Sequence, residues 1–226
     1  MRIGELSNRA GIPVPTIKYY LREGLLPAGE LTSPNQAQYG ERHLHRLKLV
    51  RALLDTGGLS IASARSVLAS IDAPDVSLHE TLGVAQQAVT PPSSGCADPR
   101  WQLALAEADA WVRQRGWQVR PGSPAGAALA HLLLTLRDLG QDELIGLLDE
   151  YATAAERLAA AELAVLGSRT GDPDHLVEGA VLGTVLGDAL LATMHRLACE
   201  DASRRVFGGA SGASDQAQTQ PLSPLP

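Results

Sequence analysis

At 226 residues, with 45 % hydrophobic and 4 % aromatic side chains, the chain has the composition of a globular, helix-rich protein of one or two domains. A net charge of −6 excludes a protein that coats nucleic acid by charge alone. That average hides an asymmetry: residues 1–75 hold nine Lys/Arg against seven Asp/Glu, whereas the remainder holds ten against eighteen, so only the N-terminal third suits DNA electrostatically.

In chain order, Ile3-Gly4-Glu5-Leu6 to Ala10 reads as a short helix ending at Gly11, and Thr16 to Arg22 as a second closed by Gly24. In the second, Ile17, Tyr20 and Leu21 recur at i, i+3, i+4 and face inward, leaving Thr16, Lys18, Tyr19 and Arg22 outside. A hydroxyl, two cations and a phenol on one exposed face are what phosphates and base edges require. Two short helices joined by a tight Gly turn form the helix-turn-helix pattern, whose second helix enters the major groove. Ala28 to Gln38, with Gly29, Pro34 and Asn35, carries hairpin punctuation and reads as a wing or as a plain surface loop.

The spacing next predicts a helix from about Glu41 to Thr56 with Leu44, Leu47, Val50, Leu53 and Leu54 inward, stopped by Gly57-Gly58. His43, Arg46, Lys48 and Arg51 are mostly off that stripe, as phosphate contacts or as a solvated basic face. Ser60 caps a following helix to about Ile71, with Ile61, Ala64, Val67 and Leu68 inward.

At this point the sequence resembles the DNA-binding domain of the MerR family of transcription regulators, over roughly residues 1–75. The resemblance is carried by Ile3-Gly4-Glu5-Leu6, Gly11-Ile12, Thr16-Ile17-Lys18-Tyr19-Tyr20 and Glu23-Gly24-Leu25-Leu26-Pro27. It continues with Tyr39, Leu47, Leu49-Val50-Arg51, Gly57-Gly58-Leu59-Ser60 and Ala64-Arg65. Where the family usually has Arg, this chain has Lys18, which keeps the charge but loses the planar fork. The wing's usual Arg before the tyrosine is replaced by Asn35-Gln36-Ala37-Gln38. The DNA-contacting set is then Thr16, Lys18, Tyr19, Arg22, Tyr39, Arg42 and His43. The resemblance implies a homodimer on a palindromic operator in double-stranded promoter DNA. It also implies activation by bending and untwisting that DNA for RNA polymerase.

Ser77-Leu78-His79-Glu80 is a capping box opening a helix in which Leu78, Leu82, Ala85 and Val89 are spaced 4, 3, 4, the seam of a coiled coil. Family resemblance makes this the dimerisation helix. Packing on its own chain is the alternative. Residues 91–98 form a Pro/Ser/Gly linker, and the tail 208–226 has no periodicity and is expected to be disordered. Between them, Asp98-Pro99, Ser123-Pro124, Asp142 and Asp172-Pro173 open four helices, the third running unbroken to about Leu166 and the last to about Val206. Short connections suggest an antiparallel bundle over 99–207.

Gly179, Gly183 and Gly187 share one face of the last helix, through close packing or a ligand on bare backbone. His131, Thr184, Asp188 and His195 are the candidate ligand-binding groups of a small-molecule effector pocket, with ordinary boundary residues as the alternative. Trp101, Trp111 and Trp117 read as core, with an aromatic cage as the alternative. The six His and two Cys never fall at metal-ligand spacings, no nucleophile–base arrangement appears, and neither an enzyme nor a cofactor is expected.

Cys96 and Cys199 are too few and too far apart for a disulfide framework, which fits a reducing cytoplasm. Met1-Arg2-Ile3-Gly4 opens the first helix with no room for a signal peptide, and the apolar run Gly179 to Gly187 is too short to span a bilayer. The reading is therefore mainly α: an N-terminal winged helix-turn-helix (1–75), a short dimerisation helix (76–90), and a C-terminal helical bundle beyond the linker. It describes a cytoplasmic, nucleoid-associated regulator with no membrane partner. Its C-terminal half is either an effector sensor or an interaction scaffold.

Overall fold

The computed structural model describes residues 1–33, 36–73, 77–90, 99–168 and 173–208. Its N-terminal head comprises α1 (Ile3–Ala10), α2 (Val14–Arg22), an antiparallel hairpin of β1 (Glu30–Ser33) and β2 (Gln36–Gln38), α3 (Glu41–Arg51) and α4 (Ile61–Asp72). Gly11 and Gly24 end the first two helices at φ 65° and 72°, left-handed values that glycine adopts without a Cβ penalty. Pro15 at the start of α2 presets its first turn. The hairpin pairs Glu30 with Gln38 and Leu31 with Ala37 and is solvated along β1, as a wing is. The expected punctuation at Pro34 and Asn35 lies outside the described residues.

α3 differs from the unbroken helix expected. Its last turn, Ala52–Thr56, widens to π geometry before Gly57 and Gly58. The Gly57 and Leu59 N–H groups donate to Ala52 and Leu53 carbonyls at 2.8 and 3.0 Å, which satisfies the helix end. Leu6 and Ile17 meet Leu25, Leu47, Val50, Leu53 and Val67 in a core where each is fully or almost fully buried. Each such side chain stabilises the fold by roughly 1.5–3 kcal/mol through its removal from water.

Ser77 caps α5 (Leu78–Val89) in the expected box: its hydroxyl accepts the Glu80 N–H at 3.2 Å, and its own N–H donates to the Glu80 carboxylate at 2.9 Å. The Ser77 hydroxyl, which also donates to that carboxylate at 2.7 Å, and then the Ser77 N–H hold the Glu80 carboxyl below the usual carboxylate range. α5 packs on α4 and buries Thr81 and Ala85.

Beyond residue 98, α6 (Trp101–Gln114) packs on α7 (Pro124–Asp138) around Trp101, Ala104, Ala108, Ala130 and Leu133. Small alanines let the two backbones approach closely. Ser123 caps α7 by accepting the Gly126 N–H at 3.1 Å, with Pro124 at the first helical position, as the sequence predicts. α6 begins later than expected, at Trp101 with Arg100 in the cap position, and Asp98 lies outside the described residues. The long third helix is broken into α8 (Asp142–Ile145) and α9 (Leu148–Gly167). At the break the Leu147 N–H donates three residues back, to the Leu144 carbonyl at 3.2 Å, next to Gly146, a residue that weakens helix continuation.

α10 runs from Pro173 to Phe207. Two of its buried residues, Val181 and Val185, belong to the core of the head and not to the α6–α7 core, so the structure departs from a self-contained four-helix bundle. The chain divides into two compact units, Met1–Gly187 and the part from Asp188 onward. Within Leu176–Phe207 this helix is long and apolar enough to cross a membrane by length and composition alone, with an 18-residue stretch of mean hydropathy 1.5. That length exceeds the short run Gly179 to Gly187 singled out in the sequence.

Candidate nucleic-acid interface

Burial of Ile17 and Tyr20 fixes the rotation of α2 and so turns Lys18, Tyr19 and Arg22 to solvent, with Thr16 half-buried at the edge of the face. Lys18 and Arg22 lie one turn apart, which places both cations on one side of the helix. The Arg22 guanidinium sits 5.9 Å from the centroid of the Tyr19 ring, a cation–π placement that orders both side chains. Neither Lys18 nor Arg22 has a carboxylate partner among the described residues.

Most other cations of the head are already engaged. Arg9 grips Glu41 through two hydrogen bonds of 2.5 and 3.0 Å, which lower the Glu41 carboxyl and raise the guanidinium. Arg46 pairs with Asp72, Arg65 with Glu23, and Arg51 with Asp55 at 2.9 Å. The basic face expected on α3 is thus largely tied within the chain, although Lys48 is exposed. Arg42 is solvated and lies 3.4 Å from Glu30 of the wing, and Arg2 donates to Gln36 of β2 at 3.2 Å.

Two residues expected to touch DNA are corrected by their burial. His43 is 2 % exposed; its Nδ1 accepts the Gly40 N–H at 2.9 Å, so the proton resides on Nε2, which faces the Ala28 carbonyl at 3.4 Å. One imidazole therefore ties the residue before the wing to the residue after it. Tyr39 is 7 % exposed and meets that imidazole edge-on with ring centroids 5.2 Å apart. Its backbone N–H donates to the Met1 carbonyl at 2.8 Å, and its carbonyl accepts the Met1 ammonium at 2.9 Å. Both side chains support the wing; neither projects from it. The sequence did hold the signal, because His43 stands at i, i+4, i+7 with the inward Leu47 and Val50. Gly29, part of the hairpin punctuation in the sequence, closes the same neck: a Cβ there would lie 2.7 Å from the Gln38 carbonyl and 2.9 Å from the Tyr39 ring.

The coiled-coil seam expected on α5 is divided. Ala85 is fully buried in the core of its own chain, Leu82 and Val89 are half-buried, and Leu78 is 38 % exposed. The expected effector groups are not enclosed. His131, Asp188 and His195 are exposed, and the half-buried Thr184 hydroxyl donates to the Ala180 carbonyl one turn back at 3.2 Å. Partial desolvation raises the Asp188 carboxyl above its ordinary value, although the residue as a whole remains exposed. His195 Nε2 lies 3.5 Å from the Cys199 sulfur. Among the described residues no group of three or more His, Cys, Asp or Glu is placed to hold a metal ion.

Trp101 is core as expected, while Trp111 and Trp117 stack edge to face at 5.6 Å, half-buried, and the Trp117 N–H donates to Glu156 at 2.7 Å. Of the three glycines, Gly183 faces open space, and a Cβ on Gly187 would meet the Glu162 carboxylate of α9 at 2.9 Å.

What the sequence did not disclose is the seat of α10 on the head. His45 on α3 binds the Glu178 carboxylate at 2.7 and 3.0 Å, and Gly57 lies against Val185. Val181 and Val185, four apart, bury beside that pair.

Residues 1–71 match the model of the MerR HTH family regulatory proteins. The chain is 46 % identical over 50 residues to the HTH-type transcriptional regulator ZntR homolog of Haemophilus influenzae, covering 22 % of this chain and 37 % of that one. It is 36 % identical over 56 residues to the mercuric resistance operon regulatory protein of Bacillus cereus, covering 25 % and 42 %. The chain thus spans less than half the length of these curated relatives. A crystallised candidate transcriptional regulator of Streptomyces coelicolor A3(2), SCO5550, is 34 % identical with a TM-score of 0.62, and the match covers 92 % of this chain and 98 % of that one.

Proposed function

The chain belongs to the MerR family through its N-terminal helix-turn-helix domain, and from that premise we propose that it acts as a homodimer on a palindromic operator. It is a DNA-binding transcriptional regulator, as family members are, and not an enzyme. In the proposed complex α2 enters the major groove, with Lys18 and Arg22 meeting base edges or phosphates and Tyr19 holding the Arg22 fork in place. Arg2, Arg42 and Lys48 flank that face as phosphate contacts. Thr16 lies at its edge, whereas Tyr39 and His43 act by fixing the wing. Bending and untwisting of promoter DNA would then let RNA polymerase engage, in the cytoplasm and on the nucleoid.

The observation that carries this reading is the α2 face. Two cations and a phenol are turned outward by two buried neighbours, with no acid paired to them among the described residues. The C-terminal helices are better read as an interaction scaffold than as an effector sensor, because His131, Asp188 and His195 are exposed. Affinity for the protein's own promoter, titrated at several salt concentrations, tests the interface. Arg22→Ala is expected to cost on the order of 1–3 kcal/mol on the operator if it reads a base, and to flatten the salt slope equally on all sequences if it meets only phosphate. Unchanged binding by both Arg22→Ala and Tyr19→Phe would remove α2 as the reading helix.

A further inference from the structure

The wing carries no positive charge of its own. Residues 23–41 hold Glu23, Glu30 and Glu41 and not one Lys or Arg. A solvated hairpin with those three carboxylates standing alone would be repelled by a phosphate backbone. They do not stand alone. Arg65 pairs with Glu23, Arg42 lies 3.4 Å from Glu30, and Arg9 grips Glu41, so an arginine from outside the segment meets each acid.

A fourth arginine is held differently. The Tyr39 N–H donates to the Met1 carbonyl at 2.8 Å, and the Met1 ammonium donates to the Tyr39 carbonyl at 2.9 Å. That exchange is the one an antiparallel pair makes, and it lays the start of the chain beside β2. Arg2 follows in extended backbone, at φ −81° and ψ 164°, which puts it opposite Gln38 and diagonal to Gln36. Its Nη2 donates to Gln36 Oε1 at 3.2 Å, and the Thr32 hydroxyl donates to the Gln36 carbonyl at 3.2 Å. No carboxylate pairs with Arg2 among the described residues. An amide oxygen orders a guanidinium without cancelling its charge, whereas a carboxylate there would do both. Three carboxylates against four guanidiniums leave the wing at +1, and Arg2 is the surplus. Arg2 and Gln36 are both exposed, so the guanidinium donors that Gln36 does not take face solvent.

We propose that Arg2 is the wing's anchor on a DNA phosphate and that Gln36 is its positioning residue. A phosphate contact fixes register and adds affinity on any sequence, so the anchor complements the reading face of α2 without duplicating it. This inference rests on the DNA-binding reading above and gives the wing its own part in it.

The test is fluorescence anisotropy of the full chain on its own promoter duplex and on an unrelated duplex of equal length, at several salt concentrations. Arg2→Gln should weaken binding about threefold to tenfold on both duplexes alike and lower the salt slope by about one. Arg2→Lys should restore the slope, because it restores the charge. Gln36→Met keeps the side-chain length and the net charge but removes the amide oxygen. It should weaken both duplexes by about twofold or more, and cost nothing further in the Arg2→Gln background. The substituted positions are exposed, so melting temperatures should hold. An equal loss from Gln36→Met in both backgrounds would overturn the positioning role. An Arg2→Gln protein that melts earlier in step with its lost affinity would make Arg2 a structural strap and overturn the anchor. Unchanged affinity and slope in Arg2→Gln, beside a Lys18→Ala/Arg22→Ala protein that no longer prefers the operator, overturns the anchor while sparing α2. If neither protein differs from wild type on either duplex, the DNA-binding reading of the head falls with it.

Discussion

The head and the helices beyond residue 98 solve the burial problem differently. In the head, branched and long side chains such as Leu6, Ile17, Leu47, Val50 and Leu53 are wholly or almost wholly removed from water. The α6–α7 core instead rests on Ala104, Ala108 and Ala130 beside Trp101 and Leu133. α9 buries Ala152 and leaves Tyr151, Leu163 and Val165 at 56, 59 and 58 % exposed. At roughly 0.8 kcal/mol per buried CH₂, an alanine core gains far less per residue than a leucine core. The head buries long side chains, Val181 and Val185 of α10 among them, and turns Lys18, Tyr19 and Arg22 to solvent. The later helices keep apolar surface uncovered.

The sharpest way to break this contrast is to strip the reading face. Lys18→Ala/Arg22→Ala should lower operator affinity by about thirtyfold to ten-thousandfold if each cation reads a base, at roughly 1–3 kcal/mol apiece. Both side chains are exposed, so the melting temperature should not move. A fall in stability matching the fall in binding, seen by calorimetry, would mean that α2 is a packing element and not an interface.

Next in size is the seat of α10. A methyl on Gly57 would press on Val185 and lie 2.9 Å from the Leu53 carbonyl, so Gly57→Ala should destabilise by about 1–3 kcal/mol. Adding Val185→Ala makes room, and the double variant should lose less than the two single losses combined. Strict additivity in urea unfolding would separate Val185 from the head.

A comparable effect is expected at the wing. His43→Phe keeps a ring in the core but leaves the Gly40 N–H without its acceptor, at a cost of about 1–3 kcal/mol. Hydrogen exchange at Gly40 should accelerate, and DNA affinity should fall although His43 touches no DNA. An unchanged Gly40 amide would show that the imidazole does not hold the neck.

These tests also mark what was legible in the sequence. Local signals read well: Gly11 and Gly24 as stops, Ser60, Ser77 and Ser123 as caps, and the inward stripe of α2. Each depends on residues a few positions apart. The burial of His43 is legible in its place at i with Leu47 and Val50, although its polar, titratable ring points to the surface by chemistry alone. The helix expected to run unbroken from Asp142 breaks next to Gly146, a weak helix former that apolar periodicity alone does not register. The docking of Val181 and Val185 on the head was not readable at all. A stripe reveals that a helix is covered, not by what, and the pair His45–Glu178 joins residues 133 apart.

The smallest effect compares acid sensitivity in the two regions. Arg9 lowers Glu41 in the head, and Arg137 lowers Glu107 between α6 and α7 through hydrogen bonds of 2.6 and 2.7 Å. A carboxyl whose folded pKa lies below its unfolded value of 4.5 binds more protons unfolded. Its stabilisation is therefore complete above that value and is lost as pH falls below it, through the folded pKa. The Glu107 and Arg137 side chains are 45 and 37 % exposed, so solvent screening keeps the contribution below about 1 kcal/mol. Glu107→Gln retains an acceptor for Arg137 but cannot titrate. Urea unfolding should show wild type ahead of the variant near about pH 6, with the difference closing towards about pH 3. High salt should shrink the difference at the upper pH as well, since both groups are solvated. A gap that stays constant across that range would assign the loss to packing of the side chain, and would leave the Glu41–Arg9 pair as the place to look for acid sensitivity.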